Sequence, residues 1–323
     1  MSAALEPRAE ARVPESGRSA APWREVLRRF SGDGWAMAGL VYLTLLVGVA
    51  LASPWLASHL LHQSPFRQHM MDTIAFGGRM VDVVSNDGLP VGPNPHFLLG
   101  ADLLGRDLLT RLLYGARVSL LVSSLGTLLA IALGLAAGLL AGFYRGAADM
   151  AISRFVDAMM AIPVLLLAIA LASVLRQGSV WMVILILGVV NWTYLARILR
   201  AEVLSLRERD FVEAARALGA SDRAILGRHL LPNLLGPIIV FATLSMAGNI
   251  LLESALSFLG VGIQPPTPSW GNMIQDGLPF YNVAWWITLF PGLAILLTVV
   301  SFNLVGDGLR DAFEPGSRDR SRG

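Results

Sequence analysis

Apolar residues along the chain gather into long uninterrupted blocks rather than short alternating runs. A helix needs ~20 apolar residues to cross a bilayer core of about 30 Å. Blocks of that order predict six spanning helices: Trp35 to Ala57, Val118 to Tyr144, Ala158 to Leu175, Gln177 to Ala196, Leu230 to Leu252 and Gly277 to Gly306. The third block is short and carries Pro163 near its start. The first is longer than a signal-peptide core and lies too far from Met1, so it reads as an uncleaved anchor.

The polar intervals predict the rest. Residues 1–30 begin with Ala, Arg, Glu, Pro and Ser and few large apolar residues, which predicts a disordered tail. A second polar tail runs over 311–323. Residues 58–115 form a loop long enough for a small subdomain, with turn signals at Asp87-Gly88, Pro90, Pro93 and Pro95. Arg106 to Tyr114 sets Leu108, Leu109, Leu112 and Leu113 opposite Arg106, Asp107 and Arg111, which predicts a helix lying in the interface before the second span. Ala201 to Leu218 reads as an amphipathic helix broken by Gly219. Ser221 would cap a second short helix and Pro232 would stop it.

Composition sharpens this picture. Of 323 residues, 54% are hydrophobic and 15% charged, where a soluble chain has about 25% charged. The mean hydropathy of +0.60 agrees with a lipid-facing surface. Cysteine is absent, which excludes disulfides, thiol catalysis and Cys-ligated metals. All 25 basic residues are arginine, so the lysine of a phosphate-binding P-loop is missing. No zinc-protease helix, nucleophile elbow or catalytic carboxylate pair occurs, which leaves a membrane enzyme the weakest reading. With the N-terminus inside, 19 of the 25 arginines fall on the cytoplasmic side, so both termini are predicted to be cytoplasmic.

Three patterns carry candidate chemistry. Gly126, Ala130, Gly134, Gly138 and Gly142 recur every four residues, a stripe that lets two helix backbones approach in lipid, either as fixed packing or as a sliding contact. Glu253 is an acid set at the outer end of the fifth predicted helix, with Asn249 a turn before it and Ser257 a turn after. Such a carboxylate faces a translocation path or serves as a hydrogen-bonded structural acid. His59, His62, His69 and His96, with Met70 and Met71, lie in the outer segment at spacings that fit no recognised metal site, and no metal is assigned. Trp270, Trp285 and Trp286 are expected in an outer aromatic belt.

Glu213-Ala214-Ala215, then Gly219, then Leu231-Pro232, resemble the EAA loop of ABC importer permeases, with His229 where the signature has Ile. The resemblance widens to Leu103 to Asp107, Tyr114 to Leu120, Asp157 to Pro163, Ala255 to Gly260, Pro265 to Met273 and Gly306 to Asp311, in family order. These segments are similar to the second permease subunit of dipeptide, oligopeptide and nickel importers. Ala101-Asp102 departs from the usual Thr-Asp.

The resemblance implies an all-α polytopic protein with six transmembrane helices and the type I ABC importer permease fold, in the bacterial cytoplasmic membrane. It implies that Glu213, Ala214, Ala215, Arg216, Gly219, Ala220, Ser221, Asp222, His229, Leu231 and Pro232 couple the chain to an ATPase. The implied partners are a related permease, two ABC ATPase subunits that bind the ATP and magnesium, an extracytoplasmic binding protein, membrane lipid and a peptide substrate, with no nucleic acid. No cofactor is expected in this chain. The same architecture could import nickel chelates, glutathione or haem. An ATP-independent secondary transporter would call for inverted repeats, and none is evident.

Overall fold

The computed structural model describes residues 23–175 and 178–313. The tails over 1–22 and 314–323 lie outside the described residues. Eleven helices and one hairpin are described: α1 Trp23–Ser31, α2 Gly34–Trp55, β1 Thr73–Phe76, β2 Arg79–Asp82, α3 Leu108–Tyr144, α4 Gly146–Met160, α5 Val164–Leu175, α6 Val180–Leu206, α7 Asp210–Ala217, α8 Asp222–Ala224, α9 Leu231–Phe258, α10 Trp270–Gly277 and α11 Trp286–Phe313.

Five of the helical stretches are long and apolar enough to cross a membrane, and the pair α4–α5, bent by 91°, makes a sixth if counted as one span. The bend corrects the uniform third span expected over Ala158 to Leu175. Pro163, with no amide hydrogen to donate, follows the break at Ala161 and Ile162. The 12 residues of α5 reach only ~18 Å at 1.5 Å per residue. The last span also starts later than expected, at Trp286 rather than Gly277, because Gly277 ends α10 and a single turn at Leu278–Phe280 follows.

Residues 1–30 were expected to form one disordered tail, yet α1 occupies Trp23–Ser31. Its Val26 and Phe30 are buried, packed in a core shared with α2 and α11. Tertiary burial, not local propensity, holds this short helix. Asp33 then caps α2, its carboxylate accepting from the amides of Trp35 and Ala36 at 3.0 and 3.2 Å. Pro54 inside α2 removes the amide that would reach the Ala50 carbonyl, and the Ser53 hydroxyl donates to that carbonyl instead, at 2.8 Å.

The largest shared surface joins α3 and α6. A Cβ placed on Gly138 would lie 2.8 Å from the Leu199 Cβ, and one on Gly142 2.7 Å from the Val203 Cβ. At Gly126 the neighbour is Leu187, and at Gly134 it is Leu195 with the Trp192 carbonyl, each at under 3.0 Å. All four glycines and Ala130 are buried. The four-residue stripe read from the sequence is therefore the seam along which the two backbones touch.

The hairpin β1–β2 was not anticipated. Its antiparallel register pairs Thr73 with Asp82 and Phe76 with Arg79, and Gly77 and Gly78 turn it with φ of +61° and +77°. The Gly-Gly dipeptide between two four-residue β-prone runs was the available signal. Beneath it, Val83, Val84, Phe97 and Ala101 form a small core.

Gly138→Leu should force α3 and α6 apart and cost about 1–3 kcal/mol, the usual range for overpacking. A lowered thermal midpoint of the purified protein is the expected outcome. Gly48→Ala, where a Cβ meets nothing within 4 Å, should leave the midpoint unchanged.

Candidate functional site

The connection from α6 to α9 folds into a knob. The sequence predicts one helix over 201–218, but α6 ends at Leu206, Arg207 caps it, and α7 restarts at Asp210. At the break the Arg207 guanidinium turns back to the carbonyls of Gly142 and Phe143 at the end of α3 and lies 5.9 Å over the Phe143 ring. Gly219 ends α7 at φ +81°, with its amide on the Arg216 carbonyl and the Ala220 amide on the Ala215 carbonyl, both at 3.0 Å. Glycine adopts this left-handed turn without the Cβ penalty. Ser221 caps α8 as expected, accepting from the Ala224 amide at 3.4 Å. Pro232 does not stop a helix. It sits in the first turn of α9, where its missing amide costs nothing, and a wide π turn at Ile225–Leu230 joins α8 to α9.

Packing divides the knob into two faces. Val212 and Ala215 point inward, Val212 sharing a core with Leu206, Ile225, Leu230 and Phe143. The Phe211 ring lies 6.3 Å from half-buried His229, whose carbonyl accepts from Asn233 at 2.7 Å. Glu213, Ala214, Arg216, Gly219, Ser221, Asp222 and Pro232 are exposed, while Ala220 and Leu231 are half-buried. Leu218, an apolar side chain, is 89% exposed. The Glu213 carboxylate pairs with no described basic residue.

A buried polar seam crosses the bundle between α3 and α9. Ser119, Ser123 and Thr127 recur every four residues on α3, opposite Asn249, Glu253 and Ser257 on α9. Ser119 donates to Glu253 Oε2 at 3.0 Å and Ser257 to Oε1 at 2.9 Å. Asn249 donates to Thr127 at 2.8 Å and accepts from Asn191 of α6 at 2.7 Å. The Ser257 hydroxyl also accepts from the Ile263 amide, which fastens the α9–α10 loop to the seam. Glu253 and Asn249 are 0% and 1% exposed. The three path candidates thus come together, and they are enclosed by this chain's own helices.

Residues 134–319, more than half of the chain, match the family described as the inner membrane component of binding-protein-dependent transport systems. The chain belongs to that family. Residues 21–72 match the N-terminal transmembrane domain of oligopeptide transport permease C. Two relatives are the di/tripeptide transport system permease protein DppC of Pseudomonas aeruginosa, 40% identical, and the dipeptide transport system permease protein DppC of Alkalihalophilus pseudofirmus, 38% identical. The alignments cover 91% of this chain and 92% and 90% of those proteins. The glutathione transport system permease protein GsiD of Escherichia coli is 39% identical over 91% of this chain and 90% of its own. A chain of the MetNI methionine ABC transporter in inward facing conformations shares the fold, with a TM-score of 0.51 at 19% identity over 64% of this chain and 98% of that one.

The permease is therefore a non-catalytic, multi-pass inner-membrane subunit of an ABC transporter. Such a system implies ATPase and binding-protein partners.

At the end of the permease opposite the knob, charges are buried where the sequence suggested an interfacial helix. Arg106 to Tyr114 does not lie apart from the second span, because α3 runs without a break from Leu108 to Tyr144. Arg106 Nε donates to Asp102 Oδ2 at 2.6 Å, and Arg111 Nε lies 3.2 Å from the same oxygen. Asp276 of α10 lies 3.7 and 4.0 Å from the two guanidiniums. Burial pushes the Asp276 carboxyl above the usual carboxylate range, against the pull of Arg111 and Arg106. Each arginine is internally neutralised, so the amphipathic pattern marks a buried ion cluster rather than a water-facing side.

Two of the three tryptophans assigned to an aromatic belt are core residues of the permease. Trp270 is 1% exposed and donates to the Leu112 carbonyl at 3.1 Å, against Gly115. Trp286 is 8% exposed and donates to the Ala101 carbonyl at 3.0 Å. Only Trp285 is exposed. Of the outer histidines, His69 pairs with Asp72 at 2.7 Å and lines a cavity with His96, but no three candidate metal ligands gather among the described residues.

Asp102→Asn should leave two buried guanidiniums with Asp276 as their one remaining carboxylate among the described residues and destabilise the permease by about 3–5 kcal/mol, the cost of breaking a buried ion pair. Loss of thermal stability and of membrane-extracted yield is expected. Arg79→Gln on the exposed hairpin should behave as the parent protein.

Proposed function

We propose that the chain is the second permease subunit of an ATP-driven importer of short peptides. It would form the translocation path with a related permease and take its substrate from an extracytoplasmic binding protein. The observation that carries this reading is the near-equal likeness, over nine tenths of the chain, to permeases named for dipeptides, di/tripeptides and glutathione. Glutathione is itself a tripeptide, so these names share one chemistry: a short, zwitterionic peptide. The glutathione relatives favour it as the second reading within that class.

The knob is the coupling element in this proposal. Its exposed Leu218 and Phe211 supply an apolar tip, and Glu213 supplies a carboxylate free to meet a basic residue of an ATPase subunit. The arginine bias supports the knob end, with both termini, on the cytoplasmic side. Enclosure by Ser119 and Ser257 favours Glu253 as a structural acid over a direct substrate contact.

Binding of dipeptides, tripeptides and glutathione to the purified receptor protein tests the substrate class, and failure to bind any of them would remove the peptide reading. Gly219→Asp should lower transport and stimulated ATP hydrolysis together while the complex still assembles, since a φ of +81° costs any residue that carries a Cβ more than it costs glycine, and the new carboxylate adds a charge to the exposed turn. Normal coupling in that variant would refute the assignment of the knob. Because the chain has no cysteine, Leu218→Cys introduces a unique thiol. A membrane-impermeant maleimide should label it only in inside-out vesicles.

A further inference from the structure

Helix α1 is strapped across the ends of two spans. Val26 and Phe30 are buried against α2 and α11, Phe30 approaches Gly308, and the Trp23 ring meets Phe313 edge-on at 5.7 Å. Phe313 also borders Gly236 near the start of α9, which puts α1 at the knob end of the bundle. Only Gly32 and Asp33 separate α1 from the first apolar span, so the helix sits at the membrane boundary by connectivity alone.

Its remaining surface is divided. Trp23 and Leu27 are 52% and 63% exposed, and Trp35, at the head of α2, is 75% exposed. These apolar side chains stand where a bilayer edge would receive them. Arg24 and Arg28 follow one another a turn apart on the outward side, both exposed. The one acid of the helix, Glu25, is shared between Arg28 and Arg29 at 2.9 Å each, and those two hydrogen bonds hold its carboxyl below the ordinary range. Three arginines against one glutamate leave α1 with a net positive charge of two. Nearby on α11, Asp307 and Asp311 outnumber Arg310 by one charge, so the positive charge of this end lies on α1 itself. Guanidiniums above an apolar flank can snorkel to phosphate while the flank sits among acyl chains.

We propose that α1 is a docking surface for anionic phospholipid, with Arg24 and Arg28 binding the headgroup phosphate and Leu27, Trp23 and Trp35 seated in the acyl region. The occupied leaflet is the cytoplasmic one, which rests on the orientation proposed above.

The test uses the complete importer in bilayers of mixed phosphatidylcholine and phosphatidylglycerol, followed by native mass spectrometry of the lipids retained. The parent complex should retain phosphatidylglycerol in excess of its bilayer share. Arg24→Gln with Arg28→Gln should assemble normally and lose that excess. Arg24→Lys with Arg28→Lys should keep it, because charge rather than shape provides most of the attraction. Added inorganic phosphate should not displace the lipid. The same excess in the glutamine variant as in the parent would overturn the proposal, as would displacement by free phosphate or an α1 surface covered by a protein subunit in every lipid. Both leaflets of such a bilayer carry the anionic lipid, so this result stands apart from the thiol-labelling test of orientation.

Discussion

Close approach of α3 and α6 is the constraint on which the rest of the molecule depends. Between two helices in hydrocarbon, no hydrophobic gain drives association, so contact must come from backbone proximity and dispersion. Glycine at 126, 134, 138 and 142 supplies that proximity, and Leu187, Leu195, Leu199 and Val203 fill the groove it leaves. The polar seam of α9 packs on α3 at the height of Ser119 to Thr127, and Asn191 of α6 completes it. At the knob end, Arg207 reaches back to the Phe143 carbonyl only because α6 ends beside α3.

Features set by neighbours in sequence could be read before the fold was known. Ser221 caps a helix and Gly219 takes a positive φ for reasons contained within four or five residues. Long apolar blocks likewise disclose spans, because bilayer thickness imposes a length that composition alone can meet. The glycine stripe was visible for the same reason: its four-residue period is a property of one helix.

Features set by distant partners were misread. Trp270 and Trp286 look like interfacial tryptophans until the carbonyls of Leu112 and Ala101 are brought within reach of their indole nitrogens. Arg106 and Arg111 look like a wet face until Asp102 and Asp276 are placed beside them. Trp23–Ser31 falls almost wholly inside the stretch assigned to the tail, and its order comes from Val26 and Phe30 meeting α2 and α11. In the knob, the exposed and buried residues of α7 followed helical period, but the break after Leu206 sits where Arg207 meets a carbonyl more than sixty residues earlier, a contact no local pattern announces.

Helix α3 has 37 residues, which makes it ~55 Å long at 1.5 Å per residue and nearly twice the hydrocarbon depth. No proline interrupts it, and its two tips are gripped by different machinery: the Asp102 ion cluster at one, Arg207 and the knob at the other. A stiff strut held at both extremities converts any tug on one tip into tilt at the other, without a joint to absorb it. The two ends of the bundle are thereby joined by one unbroken backbone.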